Sequence, residues 1–547
     1  MNATNPRELA RYRFSQAVLP AVLQAALPLL LALYAAYAAV YIFRTSFIMD
    51  GERYFVLFDD AMISMRYARN LAEGYGLVWN PGGARVEGFT NPLWVVFMAL
   101  VHLLPLPASQ MSLPVQISGG VFILVSLIFL KKISDLLTGK PLLGLLAVVL
   151  TAFYTPLNNW SLLGMEVSLL TLILTFSLWL VLKNLKAGRF SPWPYWLLGF
   201  ATLVRTDAAV PYLVILGLLF LADRPHRRRH LLWGAGLLFV FLAGQTLFRL
   251  YYFGDPLPNT YYLKMYGYPL VERVARGLYV FASFATEMNW PLFILPFTVL
   301  LFRREREVWL LLLVFLGQAA YSIYVGGDAW EHKGGANRYV AISMPLFFLL
   351  FVYALELVRE ALALKAGLED RRGFALTRAG LVVFVLASLF NFNFFQNYRS
   401  LEQWALVRQP SFIQGNRENT RIGLDLRRIT TPEASIAVVT AGAVPYFADR
   451  YAIDLLGKSD PVIAREQAHE TGGLFNLEKF RPGHMKWNYA YSIGQLKPDV
   501  VAQLWGDTAE AMPFIEQNYV AGGAGSEMLY SLRAGSPHIR WERVVSQ

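Results

Sequence analysis

Runs of apolar residues long enough to cross lipid recur from about residue 17 to about residue 398 and then stop. They fall near 18–43, 115–130, 141–156, 163–183, 193–204, 208–222, 231–253, 278–302, 308–325, 339–358 and 379–396, which predicts about eleven transmembrane helices. The pair 193–204 and 208–222 is short and hinged at Arg205-Thr206-Asp207. One further piece, 91–104, is too short to span and reads as a juxtamembrane or re-entrant helix. After residue 398 the pattern changes. Segments 435–440 and 499–504 read as buried strands bounded by Pro and Gly, and 422–429 as helical. The pattern predicts an all-α polytopic membrane domain over 1–398 and an α/β domain over 399–547.

Charge orients these spans. Lys131, Lys132 and Lys140 fall in one short loop, Lys183, Lys186 and Arg189 in another, and Arg224 with Arg227, Arg228 and Arg229 in a third. Arg303, Arg304 and Arg306, then Arg371, Arg372 and Arg378, complete the set. Arg7, Arg11 and Arg13 precede the first span. If basic loops stay in the cytoplasm, all of these lie inside, while a first external loop (about 44–113) and the tail lie outside. Reading 91–104 as a span would invert every later loop. The run 18–43 exceeds a signal-peptide core and reads as a retained helix.

Composition agrees. The chain is 56% hydrophobic and only 16% charged, too little charge to clothe a soluble body of 547 residues. Its net charge of +11 resides mainly in the short loops, which suits anionic membrane lipid, and no basic face interleaved with aromatics suggests nucleic acid. There is no cysteine, hence no disulfide or thiolate chemistry.

With this topology the polar residues that interrupt the apolar pattern collect on the outer side. They include Asp59, Asp60, Glu166, Asp207, Asp255, Asp328 and Glu331, with Arg205, Lys264, His332, Lys333 and Arg338. Charges so near hydrocarbon are expensive and mark sites or wet cavities. Each also has a plainer reading. Asp60 caps a helix 61–72 and Glu166 a helix 163–183, Arg205 and Asp207 pair with each other, and Lys264 and Arg338 snorkel. Adjacent carboxylates repel, however, and residues entering a helix point about 100° apart, so Asp59 and Asp60 can divide the labour. In the tail, His484, Lys486 and Trp487 form the most reactive-looking cluster and are candidates for acceptor binding. His332 lacks a second His at ligand spacing, so no metal site is expected. A divalent cation on Asp59, Asp60 or Asp328 is the one alternative, and no cofactor is required.

Phe58-Asp59-Asp60-Ala-Met-Ile-Ser-Met-Arg-Tyr-Ala-Arg-Asn-Leu-Ala, then Gly-Leu-Val-Trp-Asn-Pro-Gly, then Val86-Glu87-Gly88-Phe89-Thr90-Asn91-Pro92-Leu93-Trp94, resembles the first external loop of bacterial GT-C glycosyltransferases. It is most similar to the mycobacterial terminal arabinofuranosyltransferase family. Further likenesses are Gly164-Met165-Glu166, Arg205-Thr206-Asp207, Leu257-Pro258-Asn259-Thr260-Tyr261-Tyr262, Gly326-Gly327-Asp328 with Arg338-Tyr339, and Asp454-Leu455-Leu456-Gly457.

The resemblance implies a multi-pass enzyme of the bacterial inner membrane with its site on the periplasmic side. Such an enzyme moves a sugar, such as arabinofuranose, from a polyprenyl phosphate to a cell-envelope glycan or glycolipid. It implies an acidic catalytic group on the first loop, here Asp59 with Asp60 beside it. The chemistry agrees: the acceptor hydroxyl needs a base, and the leaving phosphate needs cations, for which Arg205, Lys264 and Arg338 are the candidates. If stereochemistry is retained, an Asp is instead the nucleophile. Glu166, Asp207, Asp328, His332, His484 and Lys486 are expected around the substrates. The alternatives are a lipid A aminosugar or protein mannosyl transferase, a flippase of polyprenyl-linked glycans, and a non-catalytic assembly subunit. A flippase should show internal repeats and midplane charges, and the sequence shows neither.

Overall fold

The computed structural model describes residues 6–329, 331, 335–367, 371–394, 399–469, 471–526 and 528–545. Two of the expected site-loop residues, His332 and Lys333, lie outside them.

Apolar helices dominate the first part. Six described helices are long and apolar enough to cross a bilayer, or up to eight if each of two bent pairs is one span, against the eleven expected. One bent pair is Pro141–Ala152 with Thr155–Leu162, angled at 58°. The other, Leu270–Glu287 with Trp290–Phe302, turns by 105°. The expected helix 278–302 is therefore two helices. Asn289, in the left-handed region at φ 68°, ends one, and Pro291 sits in the first turn of the next. Helices Trp193–Val204 and Thr206–Ala222 are short, and the break between them is an extended Arg205. Pro92–Val101 is a separate helix of ten residues that packs beside Asp59–Ala72.

The basic loops gather at one end. The Lys140 ammonium pairs with Glu356 at 2.9 Å, and Arg306 donates to the carbonyls of Leu185 (3.2 Å) and Ala222 (3.5 Å). Glu166, Arg205 and Arg338 lie at the other helix ends.

That other end is covered by the first-loop hairpin of β1 (Phe47–Met49) and β2 (Glu52–Tyr54), by Asp59–Ala72, and by the tail. The tail holds a five-stranded mixed sheet of β3 (Ser435–Val438), β4 (Tyr451–Asp454), β5 (Val500–Val501), β6 (Tyr519–Gly522) and β7 (Tyr530–Arg533). Its order is β4-β3-β5-β7-β6, with the β3–β4 and β3–β5 pairs parallel and the others antiparallel. The expected strand 435–440 is β3, 499–504 contributes only β5, and 422–429 falls within helix Ile413–Ile429.

One buried cation ties first loop to tail. Arg66 donates to the carbonyls of Trp79 (2.6 Å), Arg450 (2.8 Å) and Pro445 and to the Asn80 side chain (2.7 Å), with no acid partner among them. Burying a guanidinium without an acid is tolerable only where its donors are met this completely.

Candidate active site

Helix Asp59–Ala72 begins at Asp59, and its N-cap, Phe58, makes no side-chain capping bond. The two acids thus occupy the first turn and cap nothing, so the capping reading of Asp60 fails. They point apart. The Asp59 Oδ1 atom accepts the backbone N–H of Ala443 at 2.8 Å, the first residue of the short helix Ala443–Ala448 that follows β3. Gly442 makes this approach possible, since a Cβ there would collide with the Asp59 backbone oxygen.

Asp60 faces the membrane domain. Its carboxylate pairs with Arg338 at 2.9 Å and Lys458 at 3.6 Å. Burial pushes its pKa up, but Lys458, Arg338, Lys264 and His484 outweigh that and hold it well below the usual carboxylate range. Asp59 has the opposite balance. Burial raises it, only partly offset by Lys458 and the Ala443 N–H.

Arg338 stands at the start of a short helix, Arg338–Ala341, whose N-cap Asn337 accepts the N–H groups of Tyr339 and Val340. Its guanidinium is shared: beyond Asp60 it grips Asp328, Nε to Oδ2 at 2.7 Å and an NH2 to Oδ1 at 3.0 Å. Arg205 is held similarly by Asp207 (2.9 Å) and Glu166 (3.2 Å). Glu166 in turn accepts from Asn91 at 3.0 Å, and Asn91 from Ser64 at 2.9 Å. The mutual pairing of Arg205 with Asp207 is thus real. Glu166 sits at the N-cap position of Val167–Lys186 but makes no capping bond.

These groups border a cavity of about 420 Å³ whose wall includes Glu166, Arg205, Asp207, Arg249, Lys264, Asp328 and Arg338. Its lining also includes the apolar or aromatic side chains of Val210, Leu257, Tyr261 and Met265. Lys264 is half-buried on this wall and, among the described residues, makes no hydrogen bond or ion pair. Burial and the nearby Arg338 lower its pKa to about 8.

The three expected phosphate-binding cations therefore line one cavity, as do Glu166, Asp207 and Asp328. Asp60 joins through Arg338, whereas Asp59 is turned to the tail. His484 is not on the wall but is buried and acts on Asp60, and burial lowers its pKa to about 3. Lys486 is not on the wall. Its ammonium is spent on the carbonyls of Ala464 (2.8 Å) and Tyr262 (3.1 Å). No three His, Cys, Asp or Glu side chains converge as metal ligands among the described residues.

Sequence reasoning missed Lys458 and Arg249. Lys458 directly follows the recognised Asp454-Leu-Leu-Gly, whose Asp454 accepts the Leu456 (3.0 Å) and Ser459 (2.6 Å) N–H groups and so shapes the loop that presents it. Asn259 fixes that loop to the membrane domain by donating to the carbonyls of Gly457 (2.9 Å) and Lys458 (3.1 Å). Arg249 is a lone charge in an apolar helix, the one signal that could have found it, and pairs with Glu87 at 2.8 Å.

A family model described as a domain of unknown function (DUF8728) matches residues 405–533, within the tail. No curated protein matches the chain. Among solved structures, the Archaeoglobus fulgidus oligosaccharyltransferase in its apo form is 10% identical with a TM-score of 0.57, over 92% of this chain and 74% of that one. AglB from Archaeoglobus fulgidus, in complex with an inhibitory peptide and a dolichol-phosphate, is 9% identical with a TM-score of 0.55, over 95% and 75%. ArnT from Cupriavidus metallidurans bound to undecaprenyl phosphate is 11% identical with a TM-score of 0.51, over 92% and 98%. At such identities the likeness is one of architecture: the chain shares the fold of these solved transferases.

Proposed function

We propose that this protein transfers a sugar, a pentofuranose such as arabinofuranose, from a polyprenyl phosphate to a cell-envelope glycan or glycolipid. We place it in the bacterial inner membrane with the cavity and tail on the periplasmic side. The observation that carries the reading is the cavity itself. Arg205, Arg249, Lys264 and Arg338 line it together with apolar side chains such as Val210, Leu257 and Met265, a mixture that suits a phosphate head on a hydrocarbon tail. ArnT and AglB, which share the architecture, were solved with undecaprenyl phosphate and a dolichol-phosphate respectively.

In the transfer, the acceptor oxygen bonds to the anomeric carbon, the carbon–oxygen bond to phosphate breaks, and the phosphate leaves with the electron pair. The hydroxyl proton passes to a carboxylate. The geometry favours Asp60 over Asp59 for this role, because Asp60 faces the cationic wall while Asp59 is spent on Ala443. Paired with Arg338 and Lys458, Asp60 is too strongly stabilised as a carboxylate to be a good base. A donor phosphate that draws Arg338 and Lys264 toward itself raises the basicity of Asp60 when substrate is present. Asp59 then acts as a positioning residue.

The test is purified protein with radiolabelled polyprenyl-phospho-sugars and envelope extract. Label should move to a glycan with wild type and stay on lipid with Asp60→Asn. Label that reaches glycan equally in Asp60→Asn, or that stays on lipid with every donor, defeats the reading.

A further inference from the structure

Beyond the donor cavity the tail carries an open cleft of about 600 Å³, lined among others by His469, Arg481, His484, Trp487, Trp505 and Glu510. A second hollow of about 450 Å³ shares His469, Trp487 and Glu510 with it. The two meet at an aromatic ridge, where the His469 ring lies flat on the Trp487 indole, centroids 3.7 Å apart and planes within 3°. Trp487 donates to Glu510 at 2.9 Å, which fixes the ridge to an exposed acid. Trp505, half-buried, donates to the His484 carbonyl at 2.9 Å, with the Arg481 guanidinium 5.9 Å from its ring.

One segment, 481–484, separates this cleft from the donor cavity. Arg481 and His484 line the cleft, while Pro482 lines the cavity. Between them Gly483, at φ +79°, lies on the Lys264 side chain, and a Cβ there would sit 3.2 Å from Cε. The left-handed turn and the close approach both favour glycine.

We infer that the two-lobed cleft holds the sugar chain of the acceptor and brings its reacting hydroxyl to the His484 side of the wall, next to Asp60. This rests on the transferase reading above. A sugar ring has an apolar C–H face and a polar rim, and the cleft offers the matching pair. The half-buried Trp505 indole and the edge of the His469–Trp487 stack line it together with the carboxylates of Glu478, Asp507 and Glu510 and the cations of Lys479 and Arg481. A lipid tail would need a continuous apolar wall. The cleft is walled instead by separate polar and aromatic side chains. Two adjoining lobes fit more than one sugar residue.

The test uses the full chain in detergent and immobilised arabinofuranose, galactofuranose and mannopyranose oligosaccharides, with an unstructured peptide and undecaprenyl phosphate in parallel. At least one oligosaccharide should bind wild type. Trp505→Ala should weaken that binding roughly tenfold, as loss of an aromatic platform does. The surface variants Arg481→Ala and Glu510→Gln, which do not threaten folding, should weaken it several-fold. Binding unchanged in all three variants, peptide bound in place of sugar, or no sugar bound by wild type that retains undecaprenyl phosphate, each overturns the cleft. Wild type that binds sugar through Trp505 yet retains no undecaprenyl phosphate keeps the cleft and overturns the donor reading.

Discussion

Asp59 and Asp60 are neighbours in sequence with opposite partners, so identical substitutions at the two positions should have different effects. Asp60→Asn removes the carboxylate that faces Arg338 and Lys458, and transfer should fall roughly 10²–10⁴-fold, the usual worth of a positioned acid–base group. Asp59→Asn keeps an oxygen for the Ala443 N–H, so activity should stay within about tenfold of wild type, whereas Asp59→Ala should lose the tail contact and more activity. Steady-state transfer assays on the three variants decide this, and rescue by Asn at 59 but not at 60 is the diagnostic result. Lys264 adds a pH dependence. With its pKa lowered to about 8 by burial and Arg338, Lys264 loses its positive charge as pH rises through 8. Undecaprenyl phosphate is already doubly ionised above about pH 7.5, so its affinity should decline between about pH 8 and 9.5 in wild type. In Lys264→Ala it should be weaker and flat across that interval, measurable by equilibrium lipid binding. The sequence already pointed to Arg205, Lys264 and Arg338, because charged residues at the ends of apolar runs are conspicuous. Which of two adjacent acids faces Arg338 was not legible. That depends on Gly442, nearly 400 residues away, whose missing side chain lets Asp59 turn outward.

At the level of elements, the helix Asp59–Ala72 belongs mechanically to the tail as much as to the membrane domain. Arg66 fixes its middle to Pro445 and Arg450, and Asp59 fixes its start to Ala443. Gly442→Ala should therefore push helix and tail apart. Gly442 has φ −100°, so the alanine suffers from collision rather than backbone strain. We expect a melting temperature lower by several degrees in detergent and faster proteolysis of the first loop, with activity falling in parallel. Arg66→Met should do the same more severely, since it leaves buried carbonyls unmet, and a light-scattering melt would read both. Element existence was readable from apolar periodicity, and so was the break at Arg205-Thr206-Asp207. The bend at Met288-Asn289 was not, because the window of hydropathy that finds a span averages over the very residues that turn it. Asn289 and Pro291 were the available signals.

For the whole molecule, basic loops meet at one end and the cavity lined by charged residues lies at the other, a polarity that predicts where each end resides. Reporter fusions after residue 545 should show periplasmic activity and those placed in the 224–229 loop cytoplasmic activity; the reverse pattern would invert the orientation. The α/β tail was foreseeable from its shift in composition. Its docking over the cavity was not, because the contacts that make it, Asn259 to Gly457 and Lys458 to Asp60, join residues with no local sequence relation.

The lone ammonium of Lys264 has a consequence for turnover. In the proposed transfer a sugar-bearing phosphodiester would bring one negative charge to it, whereas the stripped carrier left afterwards would gain a second. A wall with an uncommitted cation should therefore grip the spent lipid more firmly than the loaded one. Departure of the carrier, rather than bond-making, would then pace the cycle, and added free carrier should compete strongly with donor.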